Sequence, residues 1–154
     1  MKFCLDTSGF IDAYERYYPP DVFPSIWMKM TELVEAGTIF APEDIYKELE
    51  KKADGVIVWA KPHKARFASL DLDTMNNLSV VMAAFPTGFV DVRRSRSGAD
   101  PIVVAAAMTT RCTVVTGEKL STKAGEYKIP NVCRHFNIPC CGILEMFRQL
   151  RLSI

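Results

Sequence analysis

An excess of charge of either sign is missing from this chain. Its 19 Lys and Arg residues stand against 18 Asp and Glu, a formal net charge of +1. Such a balance gives no strong whole-molecule attraction to nucleic acid or to acidic membranes, so any phosphate recognition must come from a local patch. Long apolar runs are missing too. None approaches the roughly 20 residues needed to cross a bilayer, and in the opening MKFCLDTSGFID, Asp6 interrupts what would be the apolar region of a secretory signal. A cytoplasmic protein without a membrane partner is expected. Cysteine is sparse, with five residues, an odd count, no C-x-x-C spacing, and Cys140 adjacent to Cys141. Reduced thiols that bind no metal are expected, with Cys4 and Cys112 packing as small apolar residues. The two histidines, His63 and His135, stand in unlike contexts and read as surface or packing residues. Neither a G-x-x-x-x-G-K-[ST] phosphate loop nor a G-x-S-x-G elbow is present.

What is present is an ordinary globular composition, 49% hydrophobic and 24% charged over 154 residues, enough for one domain spanning 1–154 with a sizeable core. KFCLD reads as a short apolar strand ending in Asp6, and Thr7 and Ser8 as helix-start residues. DVFPSIWMKMTELVEAG predicts a helix, with Ile26, Met30, Leu33 and Val34 at helical spacing and Gly37 as its stop. TIFAP is strand-like and PEDIYKELEKKAD helical. VIVWAKPHKARF fits either a helix cut at Pro62 or a short strand, the helix being favoured. DTMNNLSVVMAAF predicts a helix closed by Pro86 and Gly88. ADPIVVAAAMTTR predicts another, capped by Asp100 with Pro101 in its first turn. TVVT is a buried strand, and NVCRHF and GILEMFRQLRL are the last helices. Strands separated by helices predict a three-layer α/β/α domain around a mostly parallel sheet, with its ligand crevice at the carboxyl ends of the strands.

Four acids are candidates for that crevice. Asp6 and Glu118 follow directly after apolar strands, Glu48 flanks the buried face of a helix beside Leu49, and Asp100 opens a helix. Each has a bland alternative: Asp6 and Glu118 as turn residues, Glu48 as a solvated residue paired with Lys52, Asp100 as a simple cap. Taken as a set they are harder to dismiss. Clustered carboxylates repel and raise one another's pKa values, and hard divalent cations such as Mg2+ or Mn2+, which prefer oxygen ligands, remove that penalty. Such cations activate water and neutralise charge on a phosphodiester.

In CLDTSGFIDAY, IYKELEKK, ADPIVVAAAM and VVTGEK, taken in that order, the chain resembles the PIN-domain family, the nuclease fold of VapC-type toxins and some RNA-processing enzymes. The tail KIPNVCRHFNIPCCGILEMFRQL resembles a largely unassigned PIN-like subgroup. The resemblance implies a metal-binding catalytic quartet of Asp6, Glu48, Asp100 and Glu118, with the Ser8 and Thr116 hydroxyls as orienting neighbours. It implies a Mg2+- or Mn2+-dependent endoribonuclease, the toxin of a toxin–antitoxin pair, with RNA as substrate, a cognate antitoxin as partner, and a homodimer as a common assembly. The fourth acid of the family is usually aspartate, and glutamate stands here. That departure motivates an alternative, a non-catalytic PIN-like module that binds RNA or protein. A plainer α/β domain binding a small anion is the third reading.

Arg93, Arg94 and Arg96 in DVRRSRSGAD stand just before Asp100 and are candidates for holding RNA phosphates. A second basic run, Lys61 to Arg66, is flanked by Trp59 and Phe67, which could stack on bases or belong to the core. The helix bearing Trp27, Met28, Met30 and Leu33 is either a partner-contact face or, as its spacing favours, an internal packing face.

Overall fold

In the computed structural model, residues 1–52, 55–90 and 98–153 are described. Five short strands form one sheet: β1 (Phe3–Leu5), β2 (Ile39–Pro42), β3 (Phe67–Ala68), β4 (Thr113–Val115) and β5 (Cys140–Cys141). Every pairing is parallel, and the spatial order is β3-β2-β1-β4-β5. Phe3, Cys4 and Leu5 in β1 are all fully buried. Successive strand residues point to opposite faces, so helices must cover both sides of the sheet. The α/β architecture expected from the sequence is the one observed, with the sheet parallel throughout.

Between the strands run α1 (Thr7–Ile11), continued by a π-helical turn at Asp12–Tyr17, then α2 (Pro24–Glu35), α3 (Glu43–Lys52) and α4 (Val56–Ala60). A 3-10 segment, Lys61–Arg66, leads into β3. After it come α5 (Leu72–Ala84), α6 (Ala99–Thr110), α7 (Ile129–His135) and α8 (Ile143–Gln149). The chain builds outward from β1 to β2 and β3, then crosses back to β4 and β5. The order therefore reverses between β1 and β4, where Leu5 lies opposite Val115. A reversal of this kind opens a crevice at the strands' carboxyl ends, and the residues that follow are Asp6 and Thr116.

The most buried helix is α6, with eight of its residues from Ala99 to Ala107 in the core. Its alanines let it lie close against the sheet and α5. Trp27 and Met30 of α2 are buried while Met28 points to solvent, so α2 turns its packing face inward, and Trp27 Nε1 donates to the Tyr18 carbonyl at 2.6 Å. The ambiguous stretch from Val56 is helical as far as Ala60 and tightens to a 3-10 turn at Pro62, where proline removes a donor. Among the described residues no helix is long and apolar enough to cross a membrane.

One expectation needs correction. Asp100 is not the cap of α6: Gly98 occupies that position, no side chain caps the helix, and Asp100 lies inside the first turn. Of the two readings of Trp59 and Phe67, the core one holds. Phe67 is buried, and both rings pack on Phe10, with Trp59 also meeting Trp27 edge-on. The neighbouring cations are engaged as well, Arg66 with Glu35 at 2.9 Å and Lys64 over the Tyr46 ring.

Candidate functional site

The crevice is built around Asp6. Its backbone is extended and its carboxylate caps α1 by accepting the Gly9 N–H at 2.6 Å. A residue that ends a strand and caps the next helix has its side chain fixed by both elements. Two hydroxyls complete the clamp. Ser8 donates to Asp6 Oδ2 at 2.9 Å and accepts the Gly117 N–H at 2.9 Å. Thr116 donates to the same oxygen at 2.6 Å and accepts the Glu118 N–H at 3.0 Å. Each hydroxyl gives its single proton to the carboxylate and takes a backbone proton from the turn after β4. The end of β1 and the end of β4 are thereby tied together.

Glycines make this approach close. A Cβ on Gly9 would lie 2.9 Å from the Val115 carbonyl oxygen, and one on Gly117 would lie 2.0 Å from Asp12 Oδ2. The first contact is with fixed backbone and excludes a methyl group, whereas the second is with the end of a side chain that would have to turn away.

Glu48 reaches the crevice from the buried side of α3, beside Leu49. Its Oε2 accepts the Thr7 hydroxyl, while its Oε1 is buried without any hydrogen-bond partner. Glu118 is half-buried, and its Oε2 accepts the N–H of Ile129, the first residue of α7, at 3.0 Å.

Two of the four acids are held protonated chiefly by burial, with the charges of other acids adding to it. Burial pushes the Asp100 carboxyl from its ordinary 3.8 to about 8, and the charges of Glu118, Asp6 and Glu48 add to it, with Lys52 opposing. Burial likewise raises Asp6 to about 7, against the donors Thr116, Gly9 and Ser8 and with the charge of Glu118 in support. Like charges perturb one another this way only at close range. Asp100 thus feels the charges of Asp6, Glu48 and Glu118, and Ser8 and Thr116 bond directly to Asp6. Arg93, Arg94 and Arg96 lie outside the described residues.

Does this set suit a divalent cation? The donors are all oxygen, as Mg2+ and Mn2+ require. An orphaned buried carboxylate oxygen on Glu48 is an unmet demand for a positive partner. Among the described residues, however, no group of three or more His, Cys, Asp or Glu is already spaced as a cation cage. The residues fit by the chemistry of their donors, and by the unpartnered Glu48 oxygen, rather than by a preformed set of ligands.

The sequence reading missed Thr7 and Asp12. Thr7 is the donor that holds Glu48, and the dipeptide Thr7-Ser8 behind a strand-end acid could have signalled that both hydroxyls serve carboxylates. Asp12 is buried beside Gly117, one helical turn beyond Ser8, and pairs with Arg16 at 3.3 Å.

A family model described as Domain of unknown function (DUF4411) matches residues 3–154. No curated protein matches the sequence. Among solved structures, a chain of VapBC2 from Rickettsia felis bound to a DNA fragment from their promoter superposes with a TM-score of 0.53. That match has 11% identity and covers 92% of this chain and 98% of that one. PAE2754 from Pyrobaculum aerophilum matches at 13% identity and a TM-score of 0.38, covering 89% and 96%.

Proposed function

Because the chain belongs to the DUF4411 family, a PIN-like family, we propose that it is a divalent-cation-dependent endoribonuclease and the toxin of a toxin–antitoxin pair. The observation that carries this reading is the buried Asp100 carboxyl, which feels the charges of Glu118, Asp6 and Glu48, with Asp6 itself at the switch point of a parallel sheet. Asp6, Asp100, Glu118 and the partnerless Oε1 of Glu48 would hold Mg2+ or Mn2+. Such an ion, when bound, supplies Lewis-acid activation of water and neutralises charge on the scissile phosphate. The chain's own part is positioning. Ser8 and Thr116 hold the Asp6 carboxylate in one orientation, and Thr7 holds one oxygen of Glu48 while the other stays buried without a partner. Near neutral pH Asp6 and Asp100 retain protons in the cation-free protein, so cation binding releases them and its affinity rises with pH.

The antitoxin part of the proposal is supported by the VapBC2 neighbour, itself a complex on promoter DNA. RNA is the proposed substrate, and Arg93, Arg94 and Arg96, preceding Asp100 in the chain, are proposed to hold its phosphates. The experiment is hydrolysis of single-stranded RNA by the purified protein with Mn2+ or with chelator. Cation-dependent cleavage that disappears in Asp6→Asn and Asp100→Asn, with circular dichroism unchanged, is the expected result. Cleavage that persists in both variants overturns the assignment.

One observation favours a second reading, RNA binding without turnover. Glu118 stands where the resemblance expects aspartate, and one of its oxygens is engaged by Ile129. That reading expects RNA affinity that depends on the three arginines, is indifferent to Asp6→Asn, and is accompanied by no cleavage with any divalent cation.

A further inference from the structure

Beside the acid site, on the β5 side of the sheet, runs a groove of about 920 Å3. It is continuous with the site, because Thr116 and Glu118 belong to its wall. Its size falls in the range of small-molecule pockets, about 300–1,000 Å3. We propose that this groove seats an unpaired nucleotide of the RNA strand next to the scissile phosphate, with Tyr17 stacking on its base and Arg134 and Lys119 holding its phosphate. The inference rests on the nuclease reading only for the word scissile. The binding itself stands on the groove.

Three features favour a nucleotide as the occupant. The first is apolar surface at the groove wall: Leu120 and Leu144 line it and are 41% and 49% exposed, beside Ile143. A base is a flat, largely apolar body that fills such a place. The second is the π-helical turn at Asp12–Tyr17, where the Tyr18 N–H reaches the Ala13 carbonyl at 2.9 Å. Widened turns of this kind redirect side chains and recur at functional sites. Here the turn ends at Tyr17, a groove-lining aromatic that is 53% exposed, while the next residue is anchored by Trp27 through its carbonyl. An exposed ring on an anchored backbone suits sequence-tolerant base stacking. The third is charge. Of the acids lining the groove, Asp12 pairs with Arg16, Glu145 with Arg148, and Glu118 accepts from Ile129. Arg134 and Lys119 make no ion pair among the described residues and outnumber the one lining carboxylate, Glu118, that has no cationic partner there. Arginine and lysine in that situation bind phosphate.

The test is fluorescence anisotropy with a short fluorescein-labelled oligouridylate and oligoadenylate on the Asp6→Asn protein, which binds without cutting. Tyr17→Ala weakens binding roughly 5- to 100-fold, the effect of losing one base–aromatic stack, whereas Tyr17→Phe retains it. Arg134→Ala weakens binding to both oligonucleotides alike and lowers the slope of log affinity against log salt by about one. Leu144→Glu, an exposed change that leaves the core intact, abolishes it, and Lys29→Ala on α2 changes nothing. Thermal melts of each variant report folding separately. Equal affinity in wild type, Tyr17→Ala and Arg134→Ala overturns the inference even where the wild-type protein cleaves RNA, and the nuclease reading then survives alone. Binding that depends on Tyr17 and Arg134 in a protein that never cleaves upholds the groove and refutes the nuclease. Absence of oligonucleotide binding, with a co-expressed protein retained by wild type and released by Leu144→Glu, also overturns it and makes the groove a protein seat.

Discussion

Removing protons from the acid crevice should loosen this fold, and a divalent cation should tighten it again. Asp6 titrates at about 7 and Asp100 at about 8 in the folded chain, against an ordinary 3.8 once unfolded. Between about pH 4 and pH 8 the native state therefore holds protons that the unfolded state has released, and stability must fall as pH rises. The contribution is complete below about pH 4 and is lost as pH passes through 7 and 8. For Asp6 the difference is roughly three powers of ten in proton affinity at about 1.4 kcal/mol each, or about 4 kcal/mol. Asp100 acts in the same direction, but it is partly exposed and repelled by the same neighbours, so the two do not add, and about 4 kcal/mol is the sensible total. Against typical stabilities of about 5–15 kcal/mol, that is large. Glu35 and Asp71 have lowered pKa values, from donation by His63 and Arg66 and by Thr74. Their effect runs the opposite way and is lost only as pH falls below the ordinary carboxylate range, outside this window. Urea denaturation in chelator should show a midpoint that drops steadily from about pH 5 to about pH 8.5. Mn2+ should restore most of the loss at the upper end and almost none at the lower, where the carboxyls are protonated. Asp100→Asn should raise the midpoint in chelator at high pH and blunt the response to Mn2+. A midpoint that is flat or rises over this range in chelator would refute the retention of protons by Asp6 and Asp100 in the fold.

Three smaller perturbations probe the parts separately. Thr7→Val deletes the donor to Glu48 and leaves both oxygens of a buried carboxylate without a protein partner; it should cost about 1–3 kcal/mol in chemical denaturation, recovered by Thr7→Ser, and an unchanged midpoint would count against the contact. Gly9→Ala places a methyl 2.9 Å from the Val115 carbonyl oxygen; overpacking against backbone should cost about 1–3 kcal/mol and weaken Mn2+ binding measured by calorimetry, and wild-type values for both would refute the close approach. Glu118→Gln keeps an acceptor for the Ile129 N–H but removes a charge from the crevice, so the melting temperature should hold while Mn2+ affinity drops severalfold; a large loss of stability would mean that the charge, not the hydrogen bond, supports α7.

How much of this could be read from residue order varies with the physics of each element. β1 and β4 were legible because β-branched and apolar runs stop abruptly at a charge. β3 and β5 have two residues each, too few for any periodicity, and only pairing with β2 and β4 makes them strands. The crevice acids were legible because a parallel sheet puts strand-end residues together. Thr7 was not, since its partner lies 41 positions away on α3. Asp100 followed by proline satisfies a local capping rule, and that rule lost. Gly98 occupies the cap position, so Asp100 is the second helical residue, mostly buried and within the field of the other acids. Which residue starts a helix depends on packing that a local rule does not see.

Glu118 carries the same lesson further. As a departure from the aspartate that the resemblance expects, it reads as a weakened ligand. In the fold, its backbone N–H is held by Thr116 and its Oε2 reaches the first N–H of α7. Aspartate is one methylene shorter, so from this turn it would be hard pressed to contact α7 while keeping an oxygen in the crevice. The longer side chain therefore ties the turn after β4 to the helix that bears Arg134, another residue lining the neighbouring groove. Glu118→Asp separates the two duties. A variant that keeps Mn2+ affinity but loses oligonucleotide affinity would show that glutamate is there for the groove. One that loses Mn2+ affinity first would show that its reach matters chiefly to the metal.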